Sequence, residues 1–147
     1  MYKKLKFIAL VPNSSYNNQK YTMYFLEKEE KIVIPIDIDK IEAKKILSLD
    51  NINLCNEPPI YDTTKRIIHC FDAKLTHISI YKYNDPIYYA YINLFRNGKY
   101  FEVNTKLTDA INLAKRFTAE IFVNKEILHK QGIKINQKMI KDALAKD

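Results

Sequence analysis

The stretch 103–117, Val-Asn-Thr-Lys-Leu-Thr-Asp-Ala-Ile-Asn-Leu-Ala-Lys-Arg-Phe, passes from strand to helix without a spare residue, and this restricts the fold more than any other feature. Thr108 is a good N-cap, because its hydroxyl can accept from an orphan backbone N–H. Asp109 puts a negative charge in the positive first turn, while Ala110, Leu113, Ala114 and Phe117 recur at helical spacing. One helix face is therefore expected to be buried and the polar elbow 104–109 exposed. An elbow of amide, hydroxyl, ammonium and carboxylate groups at a helix N-terminus suits an anion or a metal-bound phosphate.

The same order of features occurs once before. With Glu42-Ala43 set against Asp109-Ala110, Ile34 matches Phe101, Ile36 matches Val103 and Asp37 falls on Asn104. The helix expected over 39–49 opens with Asp39-Lys-Ile-Glu42, an acidic capping box in which Glu42 can reach back to the cap N–H. The pattern reads as an internal strand-elbow-helix duplication.

The remaining segments read as an α+β chain, a mainly antiparallel sheet with two or three helices. Alternation marks strands over 5–11, 21–27 and 31–37, with a charged turn over 27–31. Pro35 cannot donate to a ladder, so it belongs at a sheet edge or a bulge. Residues 50–59 read as a loop, and Asp62-Thr-Thr64 as the cap of a short helix whose Thr64, Ile67, Ile68 and Phe71 share a face. Strands over 75–83, 87–95 and 100–104 make an antiparallel meander, the last two joined at Asn97-Gly98, a strong hairpin signal. A final strand at 120–124 closes the compact part, taken as 1–128. Residues 129–147 then form a basic tail, with a short helix over 135–145.

A length of 147 residues, 47% of them hydrophobic and 28% charged, fits one domain with its own core. No apolar run is long enough for a membrane helix, and Pro12 and Asn13 come too soon after the start for a signal peptide, so a cytoplasmic protein is expected. Cys55 and Cys70 lack metal-ligand spacing and read as free thiols. The net charge of +7 points toward an anionic partner such as nucleic acid. It is discounted by the Lys, Asn, Ile and Tyr enrichment expected of A+T-rich codons.

Several patterns now fall in order: Ile34-Pro-Ile-Asp-Ile38 leading to Glu42-Ala43, then Glu57-Pro-Pro59, Tyr88-Tyr-Ala90, Thr105-Lys-Leu-Thr-Asp-Ala-Ile111 and Ala119-Glu-Ile-Phe-Val123. Together they resemble the bifunctional nuclease domain family over about residues 7–128. The resemblance implies a small α+β domain and, for some plant members, magnesium- or calcium-influenced cleavage of RNA and DNA. This chain departs from that pattern. Asp37 and Asp39 stand where an aromatic residue and a glycine are usual, Leu107 replaces a proline and Asn104 an aspartate. Tyr61-Asp-Thr-Thr64 occupies the place of a Thr-His-acid-Leu motif, so the histidine is missing.

Phosphodiester hydrolysis needs charge stabilisation on the non-bridging oxygens and an activated water, which carboxylates holding a divalent cation can supply. Glu42, Asp62 and Asp109, each at an expected helix start, are the candidate catalytic acids, and Glu42 and Asp109 the candidate ligands of a Mg or Ca ion. Lys106, Thr108 and Arg116 are the candidate substrate-binding residues. The competing reading makes the acids ordinary helix-start residues and the domain a non-catalytic binding or regulatory module, or an oligomeric scaffold. His69, His77 and His129 have no ligand spacing. Tyr81, Tyr83, Tyr88, Tyr89 and Tyr91 could stack bases, but cross-strand packing or a self-association surface explains them better, and a homo-oligomer, a dimer first, is expected.

Overall fold

The computed structural model describes residues 1–17, 19–47, 60–136 and 138. Eight strands and four α-helices run in the order β1 (Tyr2–Asn13), β2 (Lys20–Glu27), β3 (Ile32–Asp39), α1 (Lys40–Leu47), α2 (Ile60–Cys70), β4 (Lys74–Asn84), β5 (Ile87–Arg96), β6 (Lys99–Lys106), α3 (Leu107–Phe117), β7 (Glu120–Asn124), α4 (Lys125–Gln131) and β8 (Ile133–Lys134). The α+β expectation holds. All strands join one sheet in the order β6-β5-β4-β7-β1-β2-β3-β8.

Every pairing is antiparallel except that of β4 with β7. The exception follows from connectivity, because α3 carries the chain across to insert β7 between β1 and β4. Two three-stranded meanders, β1–β3 and β4–β6, thus flank β7, and each passes directly into a helix. Asn97 and Gly98, with φ of 50° and 75°, make the tight turn that the sequence signals. Pro35 sits where β3 has no outer neighbour among the described residues, since β8 covers only Ile32 and Val33.

The core forms where the alternating apolar positions of the strands meet the helices. Met23, Phe25, Ile34, Ile78, Ile80 and Val123 are fully buried, together with Ile46 of α1, Ile111 of α3 and Leu128 of α4. Tyr81 stacks on Tyr91 at 3.9 Å and Tyr83 packs on Tyr88 at 4.4 Å, so the tyrosines are cross-strand pairs divided between the two sheet faces. His77 likewise packs edge-on against Phe122 at 5.4 Å.

Three expectations need correction. Four helices are present among the described residues rather than two or three, α4 being the addition. It displays only Ile127 and Leu128 to the core, too short an apolar signal to stand out, and its His129 meets Glu30 at 3.0 Å. Gly132 then turns the chain into β8, so the sheet draws on residues beyond 128. Second, α2 buries Tyr61 and Ile68, whereas Ile67 and Phe71 are exposed. Third, Thr108 lies inside α3, and the N-cap position is Lys106, which makes no side-chain cap bond. The loop expected over 50–59, with Cys55 and the Glu57-Pro-Pro59 motif, lies outside the described residues, as does most of the helix expected over 135–145. Among the described residues no helix is long and apolar enough to cross a membrane, which says nothing of β-barrels.

Because Leu128 is fully buried on α4, Leu128→Ala should cost about 2–5 kcal/mol in urea-monitored stability. A loss below about 0.5 kcal/mol, the range of exposed sites, would show that α4 is not part of the cooperative core.

Candidate functional site

The two strand-helix corners meet. Both helices begin with the residue after the strand ends, so Glu42 and Asp109 each stand third in their helix. Their side chains leave the first turns of α1 and α3 at one polar rim, with α2 beside them. Lys106 Nζ lies 3.2 Å and Lys45 Nζ 3.3 Å from Glu42 Oε1, while the Thr108 hydroxyl donates to Glu42 Oε2 at 2.9 Å. Glu42 thus crosses between corners instead of reaching back to the start of its own helix.

The helix behind this rim carries a buried polar stripe. Thr108, Asn112 and Arg116 recur every fourth residue on α3, so they lie along one face. Asn112, wholly buried, donates from Nδ2 to the Thr108 carbonyl at 3.0 Å. Arg116 Nη1 donates to the Asn112 carbonyl at 3.3 Å, and its Nε to Asp62 Oδ1 at 2.9 Å. The same guanidinium lies 5.0 Å from the centre of the Tyr61 ring. Tyr61 then donates its hydroxyl to Asp109 Oδ1 at 2.6 Å, closing the chain of contacts between α2 and α3.

Burial, the bond to Asp109 and the charges of Asp109 and Glu42 hold the Tyr61 phenol far above its ordinary range. It is therefore a lasting hydrogen-bond donor. Burial pushes the Glu42 carboxyl up, but the Thr108, Lys106 and Lys45 donors outweigh it, and the net shift is downward. Glu42 is accordingly a stable carboxylate.

Each sequence-derived candidate can now be placed. Glu42 bonds Thr108, the residue before Asp109, so the two acids occupy adjoining corners; Asp109 accepts the Tyr61 hydroxyl, and Glu42 reaches it only through its charge. Asp62 faces Arg116 rather than joining them. Of the three expected substrate-binding residues, only Lys106 is presented to solvent, its side chain 62% exposed. The Arg116 side chain is 5% exposed and held between Asp62 and Asn112, and Thr108 is spent on Glu42. Tyr61 and Asn112 escaped the sequence reading. The signal for Asn112 was its place midway between Thr108 and Arg116; Tyr61 had none beyond the motif it replaces.

The donor set does not fit a resident divalent cation as it stands. Each carboxylate already holds a protein hydroxyl or cation on at least one oxygen, and no group of three or more His, Cys, Asp or Glu side chains converges among the described residues. At Glu42 the anion lies inside and the ammonium groups of Lys45 and Lys106 outside, whereas in the Arg116–Asp62 pair the cation is the buried partner.

The Bifunctional nuclease domain family matches the chain over residues 24–136, well over half its length. The match contains β3, all four helices and every residue of the rim. No curated protein matches the chain.

The depressed Glu42 pKa fixes a pH signature. Its folded value lies below the unfolded one of about 4.3, so its stabilisation is complete above that pH and is lost as pH falls through the folded value. Glu42→Gln should therefore be less stable than the parent at pH 7, with the gap shrinking below about pH 4.3. A gap that stays constant down to acid unfolding would disprove the network. Arg116→Met should cost about 1–3 kcal/mol at neutral pH, since it removes the charged donor of Asp62 and the second donor, beyond the helix N–H, of the Asn112 carbonyl.

Proposed function

The chain belongs to the bifunctional nuclease domain family, and from that membership we propose that it is a nuclease-like nucleic-acid-binding protein whose phosphate contacts lie on the α1–α3 rim. The observation that carries this reading is the layering of charge. Lys45 and Lys106, with side chains 46% and 62% exposed, form the outer layer, and the carboxylate of Glu42 lies beneath them, 13% exposed. A polyanion approaching the start of α3 meets ammonium groups and a helix N-terminus first. The carboxylates orient those cations rather than repel the ligand.

Hydrolysis of RNA or DNA is the second reading, favoured by Asp109 and Glu42 sharing the neighbourhood of one protonated tyrosine. Glu42, Asp62 and Asp109 keep their proposed roles as acids in that reading, with Lys106 as the phosphate contact and Thr108 and Arg116 as positioning residues. A Mg or Ca ion would require Glu42 and Asp109 to release donors they now hold. Ions brought by substrate phosphates ask less of a site, because one or two carboxylates then suffice. The cytoplasm, where the free Cys70 would stay reduced, is the proposed compartment, and a homo-oligomer, a dimer first, the proposed unit.

Fluorescence anisotropy with labelled single- and double-stranded oligonucleotides, run across a salt series with and without Mg or Ca, tests both readings. Lys106→Glu should weaken binding to all sequences and reduce the slope of log affinity against log salt by about 1. An unchanged slope would move the contact elsewhere. Metal-supplemented cleavage abolished by Asp109→Asn, with binding retained, would promote the hydrolytic reading; intact bound substrate would leave the binding module.

A further inference from the structure

The two edges of the sheet are built differently. At one, β8 covers Ile32 and Val33, and the rest of β3 carries Pro35, Asp37 and Asp39, a proline and charges of the kind that blunt an edge. At the other, β6 pairs with β5 along its whole length without a bulge, and no strand lies on its far side among the described residues. Lys99 to Asn104 are all exposed, with Tyr100 at 74%, Phe101 at 48% and Val103 at 43%. A long, regular, proline-free edge with apolar side chains is a template for another strand.

We propose that β6 is a homodimer interface, pairing antiparallel with β6 of a second copy about a two-fold axis at Val103. A two-fold axis perpendicular to the sheet passes through a residue paired with its own counterpart, so the number of registers is small. Centring on Glu102 opposes two carboxylates, which is unfavourable. Centring on Phe101 sets Lys99 against Val103, and centring on Asn104 leaves Tyr100 and Phe101 unpaired. With Val103 at the axis, Phe101 faces Thr105 and Tyr100 faces Lys106. Glu102 faces Asn104, with Lys106 of the second copy on one diagonal and Glu102 of the second copy on the other, so no two carboxylates stand directly opposed. The apolar side of the strand, Phe101 and Val103, then meets its own copy, and the polar side meets polar residues.

The pairing closes. Each copy spends its one unguarded edge, and Pro35 discourages further addition at the other, so a dimer forms and not a fibre. It also brings the partner's Tyr100 beside Lys106, at the border of the polar rim. The inference does not depend on the nucleic-acid reading, and its test contains no nucleic acid.

The full chain with Cys55→Ser and Cys70→Ser provides a background for Val103→Cys. Opposed residues in an antiparallel pair have Cα atoms about 4.5–5.5 Å apart, inside the range that a disulfide spans. Mild oxidation should yield a covalent dimer from Val103→Cys and much less from Asn104→Cys, and light scattering should give twice the chain mass for the parent. Val103→Pro should raise the dimer dissociation constant about tenfold or more while circular dichroism stays native. A parent that is monomeric at every concentration would overturn the proposal, as would a dimer that survives Val103→Pro without cross-linking through residue 103. Should Val103→Pro misfold, Val103→Lys, which keeps the N–H and adds like charge at the axis, gives the same readout.

Discussion

The polar stripe on α3 governs the arrangement of the helical layer. A helix that buried only Ala110, Ile111, Leu113 and Ala114 could settle on a sheet at several rotations. Burying Thr108, Asn112 and Arg116 as well removes that freedom, since a buried polar group without a partner costs about 1–3 kcal/mol. The stripe must find an acceptor for the hydroxyl, an acceptor for the Asn112 amide, which the Thr108 carbonyl supplies, and an anion for the guanidinium. Glu42 on α1 and Asp62 on α2 supply the two anions, so both neighbouring helices are fixed by demands that originate on α3. Among the described residues no buried side-chain polar atom is left without a partner.

Much of the fold was legible because it is specified locally. The alternation of β1 to β3, the Asn97-Gly98 turn and the direct junctions of β3 with α1 and of β6 with α3 each depend on a few adjacent residues. What was missed depends on contacts distant in sequence. Thr108 has the chemistry of an N-cap, yet the nearby Glu42 carboxylate accepts its hydroxyl, and a charged acceptor makes a stronger hydrogen bond than a neutral one. α4 is visible only once Ile127 and Leu128 meet a surface to bury against, and β8 only once Ile133 and Lys134 lie beside β3. The candidate site was legible at Glu42, Asp109 and Lys106, whose positions follow from the repeated corner. Arg116 was not, because a cation on an amphipathic helix looks alike whether it points to solvent or is buried against an acid of a neighbouring helix.

The repeated corner also explains how two distant segments reach one place. β1 runs antiparallel to β7 and β4 parallel to it, so the meanders run in opposite senses on either side of that strand. Each ends in a helix whose third residue is acidic, Glu42 or Asp109. The two units share strand order and junction, but their corners are not equivalent in use. Glu42 takes Lys106 and the Thr108 hydroxyl from across the junction and Lys45 from its own helix, while Asp109 takes a tyrosine from α2. The two corners carry unlike chemistry, lysines lying over Glu42 and a tyrosine hydroxyl meeting Asp109.

That asymmetry bears on what such a rim can do. A carboxylate ready to bind a cation must be under-satisfied before the ion arrives, and an under-satisfied buried carboxylate is a cost to folding. This chain avoids the cost by meeting Glu42 with lysines, at the expense of a vacant ligand position. In the proposed binding mode Lys106 would turn to a phosphate only by loosening its hold on Glu42, so the polyanion would compete with an ion pair that joins the α3 corner to α1. Thr108 keeps part of that hold when the lysines are engaged, because its hydroxyl reaches the other Glu42 oxygen. Separate attachment of the two carboxylate oxygens would therefore keep α1 joined to α3 through Thr108 with Lys106 turned away.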